Sequence, residues 1–209
     1  MATYFTFVIV AVLAACSMKS PPFDEWAQYR SAAAAYPETR STRVHVSEVH
    51  MRPPHSNPHA AGVLLAGFSH RASVGPNQRA ELDGFSVLYQ APNRNPQVAE
   101  PYLPPTVPDR VLIVRDSKPL VDQELLPGFT GIDNSRTLEA ARIHIGGRPY
   151  LLLVSRAEQG NPMWVGIFGT RGEVLYRGAL PNGVYHFTEN RHGVTFVDDA
   201  GFGKRVVLL

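Results

Sequence analysis

Histidine is the residue type with the most chemical potential in this sequence. Five of the eight histidines lie between positions 45 and 70: His45, His50, His55, His59 and His70. His50, His55 and His59 fall in or beside a segment that also holds Met51, Pro53, Pro54 and Pro58. Neutral imidazole binds zinc and copper, and a thioether suits copper(I). The spacing matches neither the i,i+4 pair of a helical site nor the alternation of a strand. The prolines also hold the rings apart unless the segment folds back. The segment therefore reads as a solvated polar loop, with metal capture by residues 50–59 as the alternative. No residue is assigned as a metal ligand, and no cofactor is implied.

A hydrolytic site needs a nucleophile, a base and an orienting acid. Gly67-Phe68-Ser69-His70 places a serine beside a histidine, but Arg71 stands where a Gly-x-Ser-x-Gly elbow needs glycine, and Ala72 and Ser73 follow. There is no His-Glu-x-x-His pair. The adjacent carboxylates Asp198-Asp199 sit in a glycine-containing stretch and read as a hairpin turn. Trp164, Phe168, Tyr176, Tyr185 and Phe187 read as core. The sharper alternative is an exposed aromatic strip for a sugar or peptide. No catalytic or cofactor-binding residue stands out, so the residues favour binding over catalysis.

The chain has 209 residues with 20 Lys and Arg, 18 Asp and Glu and a formal charge of +2. So slight a balance predicts no nucleic-acid partner. Only Lys19, Lys118 and Lys204 are lysines, so the basic residues are mostly arginine. Cys16 is the single cysteine, which excludes an internal disulfide and a thiolate metal cluster.

Cys16 closes a distinctive N-terminal stretch. Residues 7–16 are uninterruptedly apolar and end in Leu13-Ala14-Ala15-Cys16, with Ser17 next. A helix rises about 1.5 Å per residue, so crossing a bilayer core of about 30 Å takes about 20 apolar residues. This run is too short for a stable span and fits the apolar core of an export signal. Leu13 to Cys16 resembles the lipobox of bacterial lipoprotein signal peptides. The resemblance covers under a tenth of the chain. It implies cleavage before Cys16, attachment of diacylglycerol to its thiol and fatty acylation, such as palmitate, of its new amino group. It implies a membrane partner reached through the lipid. Ser17 stands where an Asp tends to retain lipoproteins in the inner membrane, so the resemblance implies the periplasmic face of the outer membrane where the host has one. One departure is that the first basic residue is Lys19, beyond the cut, which leaves the α-amino group as the only positive charge of the leader. The alternatives are an uncleaved anchor helix and a buried apolar helix.

These readings divide the chain into a signal peptide at 1–15, a lipidated tether at 16–22 and a mainly-β envelope domain at 23–209. Within the domain, residues 24–36 read as a helix, capped by Asp24, enriched by Ala32 to Ala35 and stopped by Pro37. Strands are expected after Arg43, at 44–49, 62–68, 84–90 and 110–114. Residues 91–108 hold Pro92, Pro96, Pro101, Pro104, Pro105 and Pro108. Proline lacks a donor and fixes φ, so this segment is a linker or an extended surface strap. A short helical turn is expected at 134–141. Three hairpins follow, turning at Gly146-Gly147, at 169–172 and at 190–193, before a last strand at 204–209. Ile143-His144-Ile145 and Tyr185-His186-Phe187 begin two similar hairpins 42 residues apart. Such spacing suits propeller blades. The fold class is therefore mainly β, an antiparallel meander of hairpins with one N-terminal helix. It closes as a propeller or stacks as a sandwich. The role is that of a binding or assembly component with an envelope protein as partner.

Overall fold

A computed structural model describes residues 38–53, 65, 67–91, 110–124, 137–156, 163–180 and 185–209. The proposed leader with Cys16, the helix expected at 24–36 and all six prolines of the strap lie outside the described residues. Those described form strands and turns, with no helix among them.

The strands are β1 (Thr39–Arg40), β2 (Val44–His50), β3 (Arg71–Val74), β4 (Gln78–Leu82), β5 (Phe85–Gln90), β6 (Arg110–Arg115), β7 (Lys118–Glu124), β8 (Thr137–Ile145), β9 (Arg148–Arg156), β10 (Met163–Gly169), β11 (Val174–Leu180), β12 (Tyr185–Asn190), β13 (Gly193–Asp198) and β14 (Phe202–Leu208). They assemble into three antiparallel sheets. A central sheet has the order β1-β11-β10-β9-β8-β3, an inner sheet β12-β13-β14-β2 and an outer sheet β4-β5-β6-β7.

Turn chemistry sets the meander. Asp83-Gly84, Asp116-Ser117 and Gly146-Gly147 each hold two successive residues at positive φ. That geometry matches the right-handed twist of the flanking strands and favours two-residue hairpins. Accordingly Leu82 pairs with Phe85, Arg115 with Lys118 and Ile145 with Arg148. The hairpin at 190–193 turns through Arg191 and His192, and the Asn190 side chain accepts from the His192 and Gly193 amides at 2.9 and 3.2 Å. Asp198-Asp199 lies in the β13–β14 turn, as a hairpin reading requires.

Alternation along the central sheet produces two cores. In β9, Leu152 and Val154 face the inner sheet, while Leu151 and Leu153 face the outer sheet. All four are essentially inaccessible to water. A fully buried leucine contributes about 1.5–3 kcal/mol of transfer free energy. Because both faces of this sheet are covered, its strands read as continuous apolar runs such as Tyr150-Leu-Leu-Leu-Val154.

The central and inner sheets also meet at their edges. At one seam the chain passes directly from β1 to β2, and the Ser41 amide donates to the Leu175 carbonyl at 2.9 Å. At the other, β8 meets β12: the Gly146 amide donates to the Arg191 carbonyl at 2.7 Å and the His144 amide to Glu189 Oε2 at 3.1 Å. The result is a flattened ring around the first core. The outer sheet packs on its flank around the second. A bulge in β11 sets Leu175 and Tyr176 together opposite Ile167, and both side chains enter the ring core.

Three expectations are corrected. Residues 137–141 are not a helical turn but the start of β8, paired with β9 on one side and β3 on the other. Ala140 and Ala141 favour helix locally, but their small side chains fit a sheet buried on both faces, and pairing on both edges outweighs propensity. Leu65 and Gly67 form a turn rather than a strand at 62–68. Leu65 instead plugs the ring core, its amide held by Glu139 Oε2 at 2.8 Å. The hairpins beginning at Ile143 and Tyr185 lie in different sheets that face each other across one core, so they are not successive propeller blades.

Candidate functional site

One end of the ring is defined by strand ends. β2 finishes there with Glu48, Val49 and His50, β14 begins with Phe202, Gly203 and Lys204, β13 ends at Asp198, β12 starts at Tyr185 and β11 ends at Leu180. Between them opens a cleft of about 290 Å³, lined by Glu48, Val49, Leu180, Tyr185, Asp198, Phe202, Gly203 and Lys204. The register explains the gathering. Lys204 lies opposite Glu48 on one side, Phe202 opposite His50 and Asp198 opposite Tyr185. Period-two alternation turns these pairs to the same face as the core residues Phe196 and Val206.

The charges are unevenly answered. Lys204 Nζ and Arg40 Nε both donate to the Glu38 carboxylate, and the Tyr176 hydroxyl donates to Glu38 Oε2 at 3.3 Å. Burial pushes the Glu38 carboxyl up, but the hydrogen bonds and charges of Lys204 and Arg40 outweigh it and hold it below the usual range. Burial, then the Glu38 charge beside it, pushes the Tyr176 phenol up. Burial, then the Asp198 charge, does the same for Tyr185. Both therefore stay neutral across the physiological range. Asp198 Oδ1 accepts from the Phe202 amide at 2.8 Å. Among the described residues no cation pairs with Asp198 or Glu48. Tyr185 is only 4% exposed, yet among the described residues nothing hydrogen-bonds to its hydroxyl. The outer wall is the Phe202 ring, stacked on His50 at 4.2 Å and 8°.

Two carboxylate–imidazole pairs lie elsewhere. His70 Nδ1 is 3.1 Å from Asp83 Oδ2, which Arg142 Nη1 approaches at 3.4 Å. Among the described residues no hydrogen bond joins the Ser69 hydroxyl to His70. The pair ties the β4–β5 turn to β8, where the Arg142 amide also donates to the His70 carbonyl at 2.9 Å. His186 Nε2 is 2.7 Å from Asp199 Oδ1, across the end of the inner sheet. Neither pair lines the cleft.

The other candidates are dispersed. His50 belongs to a strand rather than the proline loop, and His45 is exposed on the same strand. His55 and His59 lie outside the described residues, as does Cys16. Among the described residues no group of three His, Cys, Asp or Glu is arranged to hold a metal. Tyr176, Tyr185 and Phe187 belong to the ring core, whereas Trp164 and Phe168 belong to the second, so these aromatics form no exposed strip.

Sequence reasoning missed Glu38, Glu48 and Lys204. The one available signal was that Lys204 is one of three lysines in an arginine-rich chain. No family model matches the chain, and no curated protein or solved structure shows significant similarity to it.

Proposed function

We propose that this protein is a lipid-anchored component of the bacterial envelope, held through Cys16 with its β domain facing the periplasm, and that it serves as a binding or assembly component rather than a catalyst. The observation that carries the address is the apolar run at 7–16 ending in Leu13-Ala14-Ala15-Cys16. One acyl chain gives only marginal membrane binding, at about 0.8 kcal/mol per buried methylene, so the two or three chains of a lipoprotein make attachment durable. Ser17 favours delivery to the outer membrane.

The cleft supports the binding role. Its lining brings together the Tyr185 hydroxyl, two carboxylates and apolar walls. Its position also suits an anchored protein. β1 pairs Thr39 with Arg177 and Arg40 with Tyr176, so the chain enters the ring from the end where Leu180 and the cleft lie. Cys16 precedes Glu38 by 22 residues, a reach of at most about 75 Å when extended.

Growth with a labelled fatty acid tests the anchor. The wild-type protein should take up label and lose residues 1–15. Cys16→Ser should take up none and accumulate as the precursor. A wild-type protein that keeps Met1 and takes up no label overturns the reading.

A further inference from the structure

We propose that the cleft binds an organic cation, the ammonium or guanidinium end of an amine or a basic side chain, between the Glu48 and Asp198 carboxylates and against the Tyr185 hydroxyl. This deepens the binding role just proposed and rests on it.

Tyr185 points to a ligand. The residue is packed into the ring core and is 4% exposed, yet it lines the cleft, and its hydroxyl, which is not sealed from solvent, has no partner among the described residues. A buried tyrosine normally places its oxygen on a partner. Tyr176, in the same core, does so on Glu38. Water or a ligand must therefore satisfy Tyr185, and the phenol oxygen can accept from an N–H donor.

Charge selects the ligand. Glu38 is answered by both Lys204 and Arg40, so Lys204 is already engaged and is a poor receptor for an anion. Among the described residues no cation is paired with the Glu48 or Asp198 carboxylate. Asp198 uses one oxygen on the Phe202 amide and keeps the other. Two carboxylates and a phenol oxygen supply acceptors for the several N–H groups of an ammonium or guanidinium.

Shape agrees. Leu180, Val49 and the Phe202 ring offer apolar walls to an alkyl stem, and the ring face can attract the charge itself. A volume of about 290 Å³ is at the small end of ligand sites, enough for one side chain or a short amine.

The test is calorimetric titration of the full chain in detergent with Nα-acetyl-lysine methylamide, its arginine counterpart and putrescine. The norleucine and glutamate methylamides serve as neutral and anionic controls. The cationic probes should bind saturably at one site, at least tenfold more tightly than either control. Glu48→Gln and Tyr185→Phe should each weaken binding at least threefold. Preference for the methylamides points to a protein side chain as the natural source, and preference for putrescine points to a free amine. Equal binding of the norleucine probe overturns the proposal, as does cation binding that both variants leave unchanged. Asp198→Asn risks misfolding because Asp198 holds the β13–β14 turn. Glu48 is exposed, so its variant keeps the test decisive. Fatty-acid labelling is read separately. A labelled protein that binds no cation loses this inference and keeps its anchor.

Discussion

The Glu38 cluster sits where three distant parts of the sequence meet, and its energetics can be separated by single substitutions. Lys204 and Arg40 hold the Glu38 carboxyl below its ordinary pKa of 4.5, against the opposing effect of burial. A carboxyl whose folded pKa is depressed contributes stability above its unfolded pKa, and that contribution is lost as pH falls through the folded value. Lys204→Met should therefore cost about 1 kcal/mol at pH 7, the scale of a partly solvated ion pair. The cost should shrink as pH falls below about 4.5, where Glu38 protonates in the unfolded chain and then in the folded one. Urea unfolding of both proteins between pH 3 and 7 checks this. An equal cost at pH 3 and pH 7 would show that Lys204 acts through packing alone.

Elements divide into those written locally and those that only assembly creates. The hairpins at Gly146-Gly147 and 190–193 were legible because their turn residues dictate the backbone without help from the rest of the chain. β3, β4 and β7 were not. Arg71, Ser73, Gln78, Arg79 and Glu81 give them exposed polar faces, and Lys118-Pro119 opens β7 with a residue that lacks a ladder donor. Pro119 is tolerated because β7 is an edge strand and a bulge at Leu120 follows it. β8 was misread because Leu138 to Ala141 favour helix until two neighbouring strands pair with them. The cleft was hidden for a related reason. Glu48 and Lys204 become neighbours only when β2 meets β14, across 156 residues of sequence. One glycine in β10 reports how tightly such elements fit. A methyl at Gly166 would meet the Phe168 and Trp164 rings at 2.4 and 2.6 Å, because both aromatics fold over it towards the outer sheet. Gly166→Ala should cost about 1–3 kcal/mol by forcing both rings aside. Near-ultraviolet circular dichroism should change while the far-ultraviolet spectrum does not. An unchanged near-ultraviolet signal would mean that the rings do not pack as described.

At the scale of the whole molecule, the central sheet joins two cores, and the pairing of β2 with β14 closes the ring. Leu152 and Leu153 are successive residues of β9 that enter different cores. Replacing either by alanine should cost about 2–5 kcal/mol, and each variant should still unfold in a single transition seen by all probes. Two separable transitions would show that the outer sheet folds independently of the ring. Closure itself depends on β2 pairing with β14 in register from His50–Phe202 to Val44–Leu208. These partners are far apart in the chain, Val44 and Leu208 being 164 positions from each other. Loop closure costs about (3/2)RT ln n, so bringing such ends together is entropically expensive, and non-local sheets fold slowly. A circular permutant should remove much of that barrier. Joining Leu209 to Glu38 through roughly ten Gly and Ser residues, a reach of up to about 35 Å, and opening the chain between β2 and β3, brings Val44 within about 17 residues of Leu208. The closure term then falls by about 2 kcal/mol. If the β2–β14 ladder forms in the folding transition state, refolding should accelerate by roughly tenfold or more while unfolding changes little. Stopped-flow refolding of the permutant and the parent measures this directly. Equal refolding rates would mean that the ring closes only after the barrier, with the β8–β11 meander as its nucleus.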